Sequence, residues 1–171
     1  MNKKIDIEFE QAIRLLCEYA PVSDENTRKP LLPHDIRVGV YLYEHGYSRD
    51  IVLTGILHDT LEFTTVTEQM LREKFGDNVL KMVKANTKDD SIKDKEEKTT
   101  ELIKRCVENG QDALIVKTAD IIDSFKYYSA VGNSDQIEYC MRNARAIFKY
   151  KSDSLKGEIF DELKSFLEKY K

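Results

Sequence analysis

His58 and Asp59 close the apolar run Ile51-Val-Leu-Thr-Gly-Ile-Leu57, and Asp120 lies between Ile115-Val116 and Ile121-Ile122. Burying a carboxylate among such residues costs several kcal/mol unless a cation compensates it. For Asp120 two compensations are open. Lys117 stands one turn earlier at i, i+3, and a shared cation bound jointly by His34, His58, Asp59 and Asp120 would serve as well. Mixed imidazole and carboxylate ligands, with water in the remaining positions, suit Mn²⁺, Fe²⁺ or another first-row divalent ion. A tetrahedral structural zinc site more often uses thiolates. The remaining histidine, His45, precedes Gly46 at a helix end, where it caps exposed carbonyls rather than binding a metal.

These residues need elements to position them, and the spacing predicts helices. All three prolines, Pro21, Pro30 and Pro33, lie in one short segment, so nothing else in the chain forbids helix. Ile5 to Ala20 carries apolar residues every three or four positions. Pro21 to Pro33 reads as a loop, and Pro33 to His45 as a helix stopped by Gly46. Ser48 is placed to cap the helix that ends at His58. Thr67 caps a short helix ending at Phe75-Gly76, and Asp77 to Thr87 forms another. Lys88 to Lys98 reads as a solvated loop or helix start, Glu101 to Val107 as amphipathic, and Asn109-Gly110 as a stop. Ala113 to Tyr128 is the second strongly apolar helix, followed by helices near Ser134 to Tyr150 and Ser152 to Tyr170.

Composition narrows the class. The chain has 171 residues with no internal repeat or linker, which argues for a single domain over 1–171. A net charge of -4, from 27 Lys+Arg against 31 Asp+Glu, argues against a bulk nucleic-acid binder. No apolar run approaches the ~18–20 residues that span a bilayer, and Met1 to Phe9 carries acids where a signal peptide would be apolar. A cytoplasmic protein with no membrane partner is therefore expected. Cys17, Cys106 and Cys140 are widely spaced with no C-x-x-C pair, so they read as small buried hydrophobes.

In chain order, His34, His58-Asp59 and Asp120 resemble the metal-binding pattern of the HD-domain phosphohydrolases. More narrowly, Gly55-Ile-Leu-His58-Asp59-Thr-Leu-Glu62-Phe63-Thr64, with Thr67, Phe75-Gly76, Val79, Val83 and Thr87-Lys88, is similar to the hydrolase domain of the RelA/SpoT alarmone enzymes and their small stand-alone relatives. Val116-Lys117-Thr118-Ala119-Asp120 is similar to that family's Val-Lys-Leu-Ala-Asp segment, and the match runs from Arg28 to Tyr128. The resemblance implies an all-α, multi-helix HD bundle around a central metal site. It also implies a Mn²⁺-dependent hydrolase that removes the 3′-pyrophosphate of ppGpp or pppGpp. A related branch removes the 2′-phosphate of NADPH. His34, His58, Asp59 and Asp120 would hold the metal, and Glu62 would be the catalytic carboxylate.

Three departures bear on substrate and turnover. Phe63 stands where the family has a second acid, and Ser124 where it has an asparagine. The segment Arg28-Lys29-Pro-Leu-Leu-Pro33 keeps the family's basic pair but lacks its glycine and tyrosine. Arg28, Lys29, Lys88 and Lys117 are candidate phosphate binders, with Ser124 beside them as a hydrogen-bonding group. Lys117 has the competing roles of pairing with Asp120 or snorkelling to the surface. Phe125, Tyr127 and Tyr128 are expected in the core rather than against a base. The expected partner is a small nucleotide. Two other readings stay open: an HD module that binds a nucleotide without turnover, and an HD nucleotidase of another branch. Nothing in the sequence fixes an oligomeric state.

Overall fold

The structure, a computed structural model, describes residues 3–170. Met1, Asn2 and Lys171 of the expected 1–171 domain lie outside the described residues. The chain runs as helices α1 (Lys3–Tyr19), α2 (Leu31–Glu44), α3 (Arg49–Leu57), α4 (Thr60–Phe63) and α5 (Glu68–Phe75). It continues as α6 (Asp77–Asn86), α7 (Lys95–Asn109), α8 (Gln111–Val131), α9 (Ser134–Tyr150) and α10 (Glu158–Lys169). No strand occurs among the described residues, so the all-α expectation holds.

The run from Ile51 to Leu57 is buried all round, which makes α3 the central element. Ile51 and Val52 join a core built with α7, α8, α9 and α10, while Leu53, Ile56 and Leu57 join a second core with α1, α5 and α6. Each such buried aliphatic side chain contributes about 1.5–3 kcal/mol. Two glycines let α2 and α3 touch. A Cβ on Gly39 would lie 2.2 Å from Ile56 Cγ1, and one on Gly55 would lie 2.6 Å from Leu42 Cδ1. This close crossing carries His34 of α2 toward His58 at the end of α3, with ring centroids 5.3 Å apart.

Several boundaries differ from the sequence reading. Helix α2 starts at Leu31, so Pro33 lies inside its first turn, where a missing N–H costs nothing. Ser48 occupies the N-cap position of α3 without a side-chain cap bond. The segment from Ser152 to Gly157 precedes α10 rather than forming part of it, and Gly157 has φ 151°. Helix α7 begins earlier than Glu101 because the Asp94 carboxylate accepts from Glu97 N at 2.8 Å. Cys17 is exposed, against expectation, whereas Cys106 and Cys140 are buried. Gly46 takes φ 71° as expected, and His45 Nδ1 lies 2.7 Å from the Tyr41 carbonyl.

Candidate metal centre

His58 and Asp59 sit where α3 breaks before the one-turn helix α4, and Glu62 follows one turn later. His34 comes from α2 and Asp120 from the middle of α8, so three segments converge. His34 Nε2 lies 3.1 Å from Asp120 Oδ1 and 4.0 Å from Asp59 Oδ2. His58 Nε2 lies 3.5 Å from Asp59 Oδ1 and 3.9 Å from Asp120 Oδ1. Bonds of about 2.0–2.3 Å to one ion place ligand atoms roughly 2.8–4.6 Å apart, from cis to trans. The four imidazole–carboxylate distances fall within that span.

The hydrogen bonds fix which ring atoms face inward. His34 Nδ1 is 2.6 Å from Asp123 Oδ2, and His58 Nδ1 is 2.9 Å from the Gly55 carbonyl. Both partners only accept, so both Nδ1 atoms carry a proton and each ring turns its Nε2 inward. Both Nε2 atoms are buried without a hydrogen-bond partner. Burial also holds the His58 imidazole below its ordinary pKa, which preserves the neutral, ligating form. Asp59 completes the case: its nearly buried carboxylate receives no hydrogen bond among the described residues and faces those nitrogens. Lone pairs and carboxylate oxygens this close repel unless a cation lies among them, and the donor set suits a divalent metal.

Asp120 uses both compensations that the sequence left open. Its Oδ2 accepts from Lys117 Nζ at 2.8 Å while Oδ1 faces the histidines. Burial works to raise this carboxyl, but the Lys117 ammonium outweighs it and holds the pKa well below the usual carboxylate range. Lys117 is itself only 1% exposed. It neither snorkels to the surface nor lines the cavity, so its place is behind Asp120 rather than against a phosphate.

The other candidates divide similarly. Asp59, Glu62 and Asp120 face a cavity of about 720 Å³ whose walls include Arg28, Lys29, Lys88 and Tyr128. Lys29 reaches inward: its Nζ donates to Ser124 Oγ at 2.9 Å and lies 3.8 Å from Asp120 Oδ1. Ser124 in turn donates to Asp120 Oδ1 at 3.2 Å, so this buried hydroxyl links Lys29 to the carboxylate. Arg28 is exposed and makes no ion pair among the described residues. Glu62 is held at both oxygens, by Lys88 N at 2.6 Å and Lys88 Nζ at 2.8 Å. Phe125 is in the core, stacked on Phe166, and Tyr128 is buried although its edge reaches the cavity.

Two acids were not singled out as site residues. Asp123, one turn beyond Asp120, accepts from His34 and from Arg37 Nε and Nη2 at 2.7 and 2.9 Å. Burial raises its carboxyl, but His34 and Arg37 outweigh that and hold it at about 2. The i, i+3 spacing from Asp120 was the available signal. Asp35 is fully buried with both oxygens unpartnered, and it approaches His58 from the Nδ1 side at 3.8 Å. It also lies within 4.8 Å of the ligand atoms of His34, His58 and Asp59. Asp35 thus approaches His58 on its Nδ1 side, whereas Asp120 Oδ1 faces Nε2 at 3.9 Å.

The HD domain family matches residues 12–149, and the chain belongs to that family. The chain is 30% identical over 121 residues to a guanosine-3′,5′-bis(diphosphate) 3′-pyrophosphohydrolase of Aquifex aeolicus (strain VF5), a match covering 70% of this chain and 17% of that protein. It is 33% identical over 100 residues to a GTP pyrophosphokinase of Myxococcus xanthus, covering 54% and 13% respectively. The chain thus spans less than a fifth of the length of these relatives. Among solved structures it is similar to a metazoan ortholog of SpoT that hydrolyses ppGpp, with TM-score 0.76, 15% identity and 95% of each chain covered. A Listeria monocytogenes EGD-e protein matches with TM-score 0.65, 22% identity and coverage of 85% and 98%. These likenesses establish the fold.

Proposed function

We propose that this chain is a metal-dependent phosphohydrolase that removes the 3′-pyrophosphate of guanosine 3′,5′-bis(diphosphate) or a close nucleotide relative. The observation that carries the reading is the convergence of two partnerless imidazole Nε2 atoms on Asp59 and Asp120 at the floor of a cation-walled cavity. A divalent ion held there, for which Mn²⁺ is our choice, supplies Lewis acidity toward water and phosphate oxygens.

The chain's own residues account for the rest. Glu62, fixed by Lys88, accepts the proton of the attacking water as its oxygen bonds to phosphorus, while the bond to the ribose oxygen breaks and that oxygen takes up a proton. The Lys88 ammonium and the free Arg28 guanidinium offset charge on the phosphoryl oxygens. A second cavity of about 590 Å³ shares Arg28, Lys88, Lys98 and Tyr139 with the first and adds Lys93, Lys95 and Arg142. Its cations suit a substrate with a second phosphate group. No helix among the described residues is long and apolar enough to cross a membrane; a cytoplasmic location is proposed from the nucleotide substrate alone.

The test is incubation of the full chain with Mn²⁺ and guanosine 3′,5′-bis(diphosphate), with separation of the products. Release of GDP and pyrophosphate, abolished by chelation, is expected. Nucleotide binding without product would overturn the enzyme reading and favour the second one, a sensor, for which Phe63 in place of the family's second acid is the supporting observation.

A further inference from the structure

The large hydrophobic side chains standing exposed among the described residues are Ile7, Val22, Phe63 and Val131. Two of them, Val22 at 99% and Phe63 at 45% exposed, line the same cavity as Asp59, Glu62 and Asp120. Exposed aromatic surface inside a charged cavity is what a flat, apolar ligand face would cover.

Phe63 is also held in place. It follows Glu62 directly in α4, and the Lys88 ammonium that binds Glu62 Oε2 lies 5.5 Å from the Phe63 ring centroid. The ring is therefore fixed beside the carboxylate by a cation on one side, leaving other ring surface open to the cavity. The other aromatics of that wall are less available: Tyr128 is buried, and Tyr139 carries the Arg142 guanidinium 5.8 Å from its ring centroid.

We propose that Phe63 is the stacking platform for the planar base of a nucleotide whose phosphate faces the His34, His58, Asp59 and Asp120 cluster. This deepens the phosphohydrolase reading and rests on it for the placement of the phosphate. Phenylalanine offers no hydrogen bond, so the contact selects nucleotides over base-free phosphates while accepting guanine and adenine alike.

Calorimetric titration of the Mn²⁺-loaded full chain with GDP, ADP and inorganic pyrophosphate tests this. Phe63→Ala should weaken GDP and ADP about tenfold and leave pyrophosphate affinity unchanged. Phe63→Tyr, which keeps the ring, should restore nucleotide binding. Equal loss for nucleotides and pyrophosphate would show that Phe63 only props Lys88, and no loss for GDP, or no binding of GDP by the unaltered protein, would also overturn the platform. Phe63-dependent GDP binding in a chain that turns over nothing would leave the platform standing and remove the hydrolase.

Discussion

Asp123 holds His34: the carboxylate accepts from Nδ1 at 2.6 Å and is itself clamped by Arg37, so the ring presents Nε2 to Asp120. Groups that orient a metal-binding histidine in this way typically account for about 10–100-fold in affinity. Asp123→Ala should weaken Mn²⁺ binding by that order while the far-UV circular dichroism stays helical. Unchanged affinity by calorimetry would show that His34 needs no such support.

The crossing of α2 and α3 depends on glycine. Gly39→Ala would place a Cβ 2.2 Å from Ile56 Cγ1 in a fully buried position, so Ile56 or the helix must move. Overpacking of this kind costs about 1–3 kcal/mol, or about 2–4 °C of Tm per kcal/mol for a protein of this size. Because the same crossing brings His34 to His58, Mn²⁺ affinity should fall with Tm. A variant with unaltered melting and binding would contradict the account of the crossing.

Asp35 makes stability depend on pH. Burial, reinforced by the charge of Asp59, raises its carboxyl well above the ordinary range. In the unfolded chain it ionises near pH ~3.9, so folding retains a proton that unfolding releases, and stability falls as pH rises above that value toward the folded pKa. In chelator-treated protein, Asp35→Asn should therefore raise Tm relative to the unaltered chain more at pH 7 than at pH 4. An equal difference at both values would show that Asp35 does not titrate in this way.

Glu62 and Lys88 separate chemistry from metal binding. Glu62→Gln should lower kcat about 10²–10⁴-fold, the usual worth of a general base, and leave Mn²⁺ affinity nearly unchanged because Glu62 is outside the ligand cluster. Lys88→Met should also lower kcat, by less, since Lys88 N still donates to Glu62 Oε1 at 2.6 Å. Loss of metal together with activity in Glu62→Gln would instead make Glu62 a ligand.

What could be read from the sequence tracks what is local. The helices α1, α6 and α8 follow from apolar residues at three- and four-residue spacing and α5 from its Thr67 cap and Gly76 stop, while His58, Asp59 and Asp120 stand out as polar groups set against apolar runs. The start of α2 was masked because Pro33 reads as a breaker, although its first-turn position exempts it. Asp35 and Asp123 escaped notice as site residues because their burial comes from contacts with other helices. Lys29 belongs with them: that it reaches Ser124 and Asp120 of α8 is a long-range fact no spacing carries.

The most direct test of the metal centre is a crystal structure of the Mn²⁺-loaded chain with anomalous data. One manganese peak is expected, bonded to Nε2 of His34 and of His58 and to carboxylate oxygens of Asp59 and Asp120, each at about 2.0–2.3 Å. A peak elsewhere, or one that leaves His34 Nε2 beyond bonding distance, would contradict this ligand set.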